Sequence, residues 1–143
     1  MGTRGLIAIE NSDGTFTSIY THWDSYPSKN GKILLEHYTN ENKVQSLMSL
    51  GNLSILGSEI GNKHDFEKHN SDKRTDCLAY GRDRGGTDTN AAISDSRKAL
   101  TSLANNYSAE FLYLFSNGVW NYKPLQDNIA TVFRKLTQKS CQE

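Results

Sequence analysis

The chain has 143 residues and a mass of 16.0 kDa, enough for one hydrophobic core and too few for two. Its 16 Lys and Arg balance 16 Asp and Glu, and the zero net charge argues against a generic DNA- or RNA-coating protein, which needs a positive field to draw on counterion release. A mean hydropathy of −0.65, with no apolar run near the ~20 residues that cross a bilayer, argues against a membrane span.

Residues 3–10 (Thr-Arg-Gly-Leu-Ile-Ala-Ile-Glu) and 15–22 (Thr-Phe-Thr-Ser-Ile-Tyr-Thr-His) are rich in apolar and β-branched residues. They flank the turn-forming Asn11-Ser12-Asp13-Gly14, so a β-hairpin is predicted. Leu6 to Ile9 is too short for the apolar core of a secretory leader. Pro27 and Gly31 stop any strand in 23–31, which reads as a loop. Ile33, Leu34, Leu35 and Tyr38 begin a short helix. Asn40 is expected to cap a second, with Val44, Leu47 and Met48 at i, i+3 and i+4 and Gly51 closing it. His37 reads as a satisfied core histidine.

Residues 52–60 are apolar but broken by Gly57, and irregular structure over the core is expected. In 61–76 the only large apolar residue is Phe66. Such a stretch buries too little to offset its ordering entropy, which predicts an exposed, mobile loop. Cys77-Leu-Ala-Tyr80 reads as a short strand and 81–90 as polar loop. Ser94 is expected to cap a helix over 95–105 with Ala99, Leu100, Leu103 and Ala104 facing inward. Glu110–Phe115 and Val119–Tyr122 around Asn117-Gly118 form the clearest hairpin signal. Leu125, Ile129, Val132, Phe133 and Leu136 lie at i, i+4, i+7, i+8 and i+11, the stripe of a C-terminal helix. Hairpins toward both ends with helices between imply a single α+β domain over 1–143, two-layered, with an antiparallel sheet and helices on one face.

The two cysteines, Cys77 and Cys141, read as reduced thiols of a cytosolic protein, with Cys77 buried and inert in its apolar run.

Chemistry concentrates in three places. In Tyr80-Gly-Arg-Asp-Arg-Gly-Gly-Thr-Asp88, Arg82 and Arg84 flank Asp83 before paired glycines. Two guanidiniums can grip phosphate or carboxylate oxygens, and Gly85-Gly86 lets backbone N–H groups approach a ligand. The alternative is an ion pair holding a turn. In Tyr20, His22, Trp23, Asp24 and Tyr26, Tyr20 and His22 share one side of a strand. Asp24 would orient His22 as a general base, and Trp23 or Tyr26 would stack on a base. Against this, Trp23 and Tyr26 would plug the corner while Asp24 caps it, and for Trp23 alone core packing is the favoured reading. Arg4 is either a surface residue or a third guanidinium at the same edge. His64 and His69 have poor zinc spacing and lack a second ligand pair, so no metal site is expected. No nucleophile elbow, zinc-protease, Walker or paired-cysteine motif appears; no catalytic residue and no cofactor is assigned.

Met-Gly-Thr-Arg at the start, Ile-Tyr-x-His-Trp-Asp-x-Tyr-Pro and Tyr-x-Arg-Asp-Arg-Gly together resemble a family of small bacteriophage and prophage proteins, over residues 1 to about 125. That group commonly has Ser, Gly and an acidic residue where this chain has Gly5, Ser25 and Gly86. The resemblance implies a phage accessory protein acting in the host cytoplasm, of a kind that often counters host defence. Combined with the arginines and aromatics, it gives the expected function: sequestration of a nucleotide-derived signal, ADP-ribose-like or cyclic, by Arg4, His22, Trp23, Asp24, Tyr26, Arg82, Asp83 and Arg84. A homo-oligomer fits this reading. The alternatives are an enzyme cleaving a phosphodiester or glycosidic bond, and an inhibitor that binds a host defence protein.

Overall fold

The computed structural model describes residues 3–61, 76–125 and 133–142. Strands β1 (Gly5–Glu10) and β2 (Phe16–Thr21) pair antiparallel from Gly5↔Thr21 to Glu10↔Phe16. Their turn is tied by Asp13, whose Oδ1 accepts from the Thr15 N–H at 3.0 Å and from its hydroxyl at 2.6 Å. Strands β6 (Phe111–Ser116) and β7 (Val119–Pro124) form the second hairpin. Asn117 and Gly118 both take positive φ, +52° and +77°, the backbone that a two-residue turn of right-twisted strands requires.

All described strands join one sheet, in the order β4 (Leu78–Ala79), β3 (Leu53–Ile55), β2, β1, β6, β7 and β8 (Arg134–Lys135), with β5 (Ala92–Ser94) also on β2. The α+β class holds. The sheet, however, is mixed: β1 runs parallel to β6, and β2 parallel to β3 (Leu53–Ile55). Helices also cover both faces, which corrects the expectation of a two-layer domain. On one face Ile7, Ile9, Ile19, Tyr113 and Phe115 pack with Leu34, Val44, Leu47 and Met48 of helices α1 (Lys32–His37) and α2 (Glu41–Ser49). On the other, Leu6, Ala8, Leu112 and Leu114 pack with Leu100 and Ala104 of α4 (Arg97–Asn106). The reason is visible in β1, where Leu6-Ile7-Ala8-Ile9 are consecutive apolar residues, all at most 1% exposed. A strand without polar alternation needs cover on both sides.

Asn40 caps α2 as expected, its Oδ1 accepting from the Lys43 N–H at 2.9 Å, and Gly51 follows at φ +74°. Other boundaries differ. Residues 53–55 are strand rather than irregular. Ser94 lies in β5, and the cap of α4 is Ser96, whose Oγ accepts from the Ala99 N–H at 3.0 Å. Strand β4 (Leu78–Ala79) passes directly into a short helix, α3 (Tyr80–Arg84). The C-terminal helix is not seen at its described end: Arg134–Lys135 is strand β8, paired with Asn121 and Tyr122 of β7. The supposed stripe is divided, with Leu136 in the α1/α2 core and Leu125 and Phe133 against the α4 core. The rest of that stripe, and the expected loop over 61–76 apart from its end residues, lie outside the described residues, as do His64 and His69. His37 is exposed, not a core histidine.

Both cysteines are free and buried. The Gly57 N–H reaches the Cys77 Sγ at 3.2 Å and the Tyr38 hydroxyl lies 3.4 Å away. Burial pushes the Cys77 thiol up from its ordinary range, which suits the inert reading. Among the described residues no helix is long and apolar enough to cross a membrane, and no three His, Cys, Asp or Glu are grouped to hold a metal.

Candidate functional site

Beyond Thr21 the chain stays beside β3: the His22 N–H donates to the Leu53 carbonyl at 3.1 Å and the Trp23 N–H to that of Ser54 at 3.2 Å. Asp24 then reverses it at φ +62°, a conformation that Asp tolerates better than most residues. The corner is fastened from several directions. The Ser25 N–H donates to Thr3 O at 2.9 Å, and the Tyr113 hydroxyl donates to Ser25 O. The Asn30 carboxamide donates to Trp23 O at 2.9 Å and to Ser25 Oγ at 3.3 Å, while its backbone N–H reaches Asp24 O at 3.1 Å. Ser25 sits so close to β1 that a side chain at Gly5 would bring a Cβ to 2.6 Å from Ser25 Cβ.

Small buried residues, Ser25, Pro27 and Asn30, thus fill the inside of the corner. Trp23 and Tyr26 do not; they stand 40% and 38% exposed, and the core-packing reading of Trp23 is corrected. Behind Trp23 runs a row of rings. His22 meets Trp23 edge-on, with centroids 4.9 Å apart. Its Nδ1 lies 2.7 Å from the Tyr20 hydroxyl, and Tyr20 stacks on Tyr107, just past the end of α4, at 4.9 Å. Burial raises the Tyr20 hydroxyl pKa; the Arg4 charge opposes that shift, while Tyr80 and Tyr107 add to it. Arg4 is therefore within electrostatic reach of the row. The group oriented against His22 Nδ1 is a neutral phenol, not the Asp24 carboxylate, which weakens the general-base reading. Sequence reasoning overlooked Tyr107, although Leu100, Leu103, Ala104 and Tyr107 fall at i, i+3, i+4 and i+7.

The arginine-rich turn is built differently. Arg82 Nε donates to Asp83 Oδ1 at 3.0 Å, its Nη1 to the carbonyls of Ile60 and Gly61 at 2.8 and 3.0 Å, and its Nη2 to Cys77 O at 2.7 Å and Asp83 Oδ2 at 3.1 Å. These contacts occupy all five guanidinium N–H donors. Asp83, with a fully buried side chain, also accepts from the Ala79 N–H at 2.8 Å. Both residues fasten α3 to β4 and to residues 60–61, and the geometry removes them from the ligand set. Gly85, at φ +76°, and Gly86 direct their N–H groups to Gly81 O and Tyr80 O at 3.1 and 2.9 Å, so they close α3 rather than await an anion. Arg84 is exposed and has interactions within the chain. Of the predicted residues, His22 and Trp23 are in ring contact, Asp24 and Tyr26 follow them in the same corner, and Arg4 lies next to Thr3, whose carbonyl accepts from the Ser25 N–H.

No protein-family model, curated protein or solved structure matches this chain.

Proposed function

We propose that the protein is a binding module rather than a catalyst, and that the corner carrying Arg4, His22, Trp23, Asp24 and Tyr26 is its recognition surface. One observation carries this reading: a tryptophan 40% exposed in a corner whose backbone is held by hydrogen bonds from Asn30 to Trp23 O and from Tyr113 to Ser25 O. A large ring fixed at the surface before its ligand arrives loses little entropy on binding. The ligand class that suits this chemistry is a nucleotide-derived molecule, ADP-ribose-like or cyclic. Its base would stack on Trp23 or Tyr26, Arg4 and His22 would face its phosphate, and Asp24 its ribose hydroxyls. With the resemblance to phage accessory proteins, the role is sequestration of a host defence signal in the cytoplasm.

A second reading, docking onto a host defence protein, is favoured by the withdrawal of Arg82 into the fold and by how far Trp23 and Tyr26 stand out into solvent. Calorimetry against a panel of ADP-ribose derivatives and cyclic nucleotides separates the two. Sequestration predicts a Kd below ~100 µM, about −5.5 kcal/mol, lost in Trp23→Ala, with intact ligand released on heating. Ligand of altered mass would mean catalysis. No binding across the panel would end the nucleotide reading and leave the protein partner, tested by comparing wild type and Trp23→Ala in pull-downs.

A further inference from the structure

We infer that Tyr20 is a positioning residue of the aromatic corner: its hydroxyl donates to His22 Nδ1 and so presents the His22 Nε2–H as a donor to an anionic oxygen of the ligand. The inference rests on the reading of this corner as a recognition surface, and it adds which residue readies the donor and which ligand group that donor takes. The alternation of β2 puts Tyr20 and His22 on one side of the strand. Tyr20 is fixed there by its backbone N–H, which donates to Asn52 Oδ1 at 2.9 Å, and by its ring, stacked on Tyr107 with centroids 4.9 Å and planes 22° apart. Its hydroxyl lies 2.7 Å from His22 Nδ1, and neither group has another hydrogen-bond partner among the described residues.

Acidity sets the direction of that bond. A phenol O–H is a more acidic donor than the N–H of a neutral imidazole, and the bare ring nitrogen is a far better acceptor than a phenol oxygen. Burial, which raises the Tyr20 pKa, keeps the phenol proton in place. With Nδ1 accepting, the ring's own proton belongs on Nε2. Trp23 meets the His22 ring edge-on, with centroids 4.9 Å and planes 88° apart, so the imidazole is held between two aromatic neighbours. His22 is half-buried, and its Nε2–H makes no hydrogen bond among the described residues. Arg4 is exposed, its charge reaches the Tyr20 hydroxyl, and among the described residues it is in no ion pair. Two cationic or polar donors beside one ring row thus lack acceptors. A ligand that stacks on Trp23 and carries phosphoryl oxygens supplies what both lack.

Proton–nitrogen correlation spectra of the imidazoles, recorded on the isotope-labelled full chain at a pH where they are neutral, test it. The His22 signals are identified by their loss in His22→Gln. In wild type they should show a bare Nδ1 and a protonated Nε2. Tyr20→Phe keeps the stacked ring and removes only the hydroxyl, and it should give a mixture of both tautomers. Inorganic pyrophosphate, the probe for the oxyanion, should shift the wild-type Nε2 signal saturably, with affinity about tenfold weaker in Tyr20→Phe, the worth of one hydrogen bond to a charged group. A proton on Nδ1 in wild type overturns the proposal. So does a Tyr20→Phe chain with unchanged tautomer or unchanged pyrophosphate affinity, or a wild-type His22 indifferent to pyrophosphate. None of these readouts uses a nucleotide, so failure of the nucleotide panel alone would change the identity of the anion and leave the Tyr20–His22 assignment standing.

Discussion

Trp23 and Trp120 are chemically the same and differ in what holds them. Trp120 is 3% exposed and donates its indole N–H to Tyr38 O at 2.8 Å; Trp23 is 40% exposed, and it is its backbone that is held. Replacing Trp120 by Ala should therefore cost about 3–5 kcal/mol in urea unfolding. Trp23→Ala should change stability by less than about 0.5 kcal/mol while removing ligand binding at the corner. A large stability loss in Trp23→Ala would show that the ring is structural after all. For Arg82 the expectation is reversed. Its side chain is 18% exposed against a fully buried Asp83 carboxylate, and Arg82→Ala would take the guanidinium away from that buried charge and from the carbonyls of Ile60, Gly61 and Cys77. Loss of about 3–5 kcal/mol is expected. Nucleotide affinity, measured where the variant is still folded, should be unchanged.

At the scale of elements, what the sequence disclosed is what is decided locally. Asn117-Gly118 and Asn11–Gly14 carry their own turn chemistry, and Asn40 and Gly51 sit at the two ends of the helix they delimit, so both hairpins and α2 were legible. Strands β3 and β5, three residues each, were not, because they exist only by pairing with distant strands, β3 with β2 and β4, β5 with β2. The stripe from Leu125 to Leu136 has helical spacing, yet β7 offered an open edge, and Arg134 and Lys135 pair with it. The candidate site was half legible: residue types marked Trp23 and Tyr26, but Tyr113, which fixes Ser25, is 88 residues away in the chain. The Gly5–Ser25 contact gives this dependence a test. Gly5→Ala would press a methyl group against Ser25, an overpacking that costs about 1–3 kcal/mol. It should also shift Trp23 emission, because the corner must move to make room. A Gly118→Ala control, strained by φ +77° at a turn far from the corner, should lose about 1–2 kcal/mol with Trp23 emission unchanged.

Over the whole molecule, both helical layers are joined through one sheet, and buried hydroxyls sit at the joins. Tyr38 donates to Gly57 O at 2.7 Å and Tyr113 to Ser25 O. Burial pushes both phenols far above their ordinary value of 10.0, and the Cys77 thiol above 9.0. In the native chain these groups stay neutral at a pH where the unfolded chain has already lost their protons. Their stabilising contribution is thus complete below pH 9 and declines as pH rises through 9 and then 10, since the unfolded state gains from each ionisation. Each phenol should lower unfolding free energy by about 1.4 kcal/mol per pH unit above its ordinary value. Asp13 acts at the other end of the scale. The Thr15 hydroxyl, and then its N–H, hold the Asp13 carboxyl below 3.8, so that its contribution is present above that pH and lost as pH falls through the lowered value. Urea unfolding measured from neutral pH to pH 11 checks the alkaline limb. Tyr38→Phe should be less stable than wild type by about 1 kcal/mol at pH 7, because the hydrogen bond to Gly57 is gone. Its stability should then fall more gently above pH 10, by about 1.4 kcal/mol less per pH unit, so that the two curves approach and cross. Parallel curves would mean that the Tyr38 hydroxyl titrates in the folded chain as it does in the unfolded one, and that its burial does not couple pH to the fold.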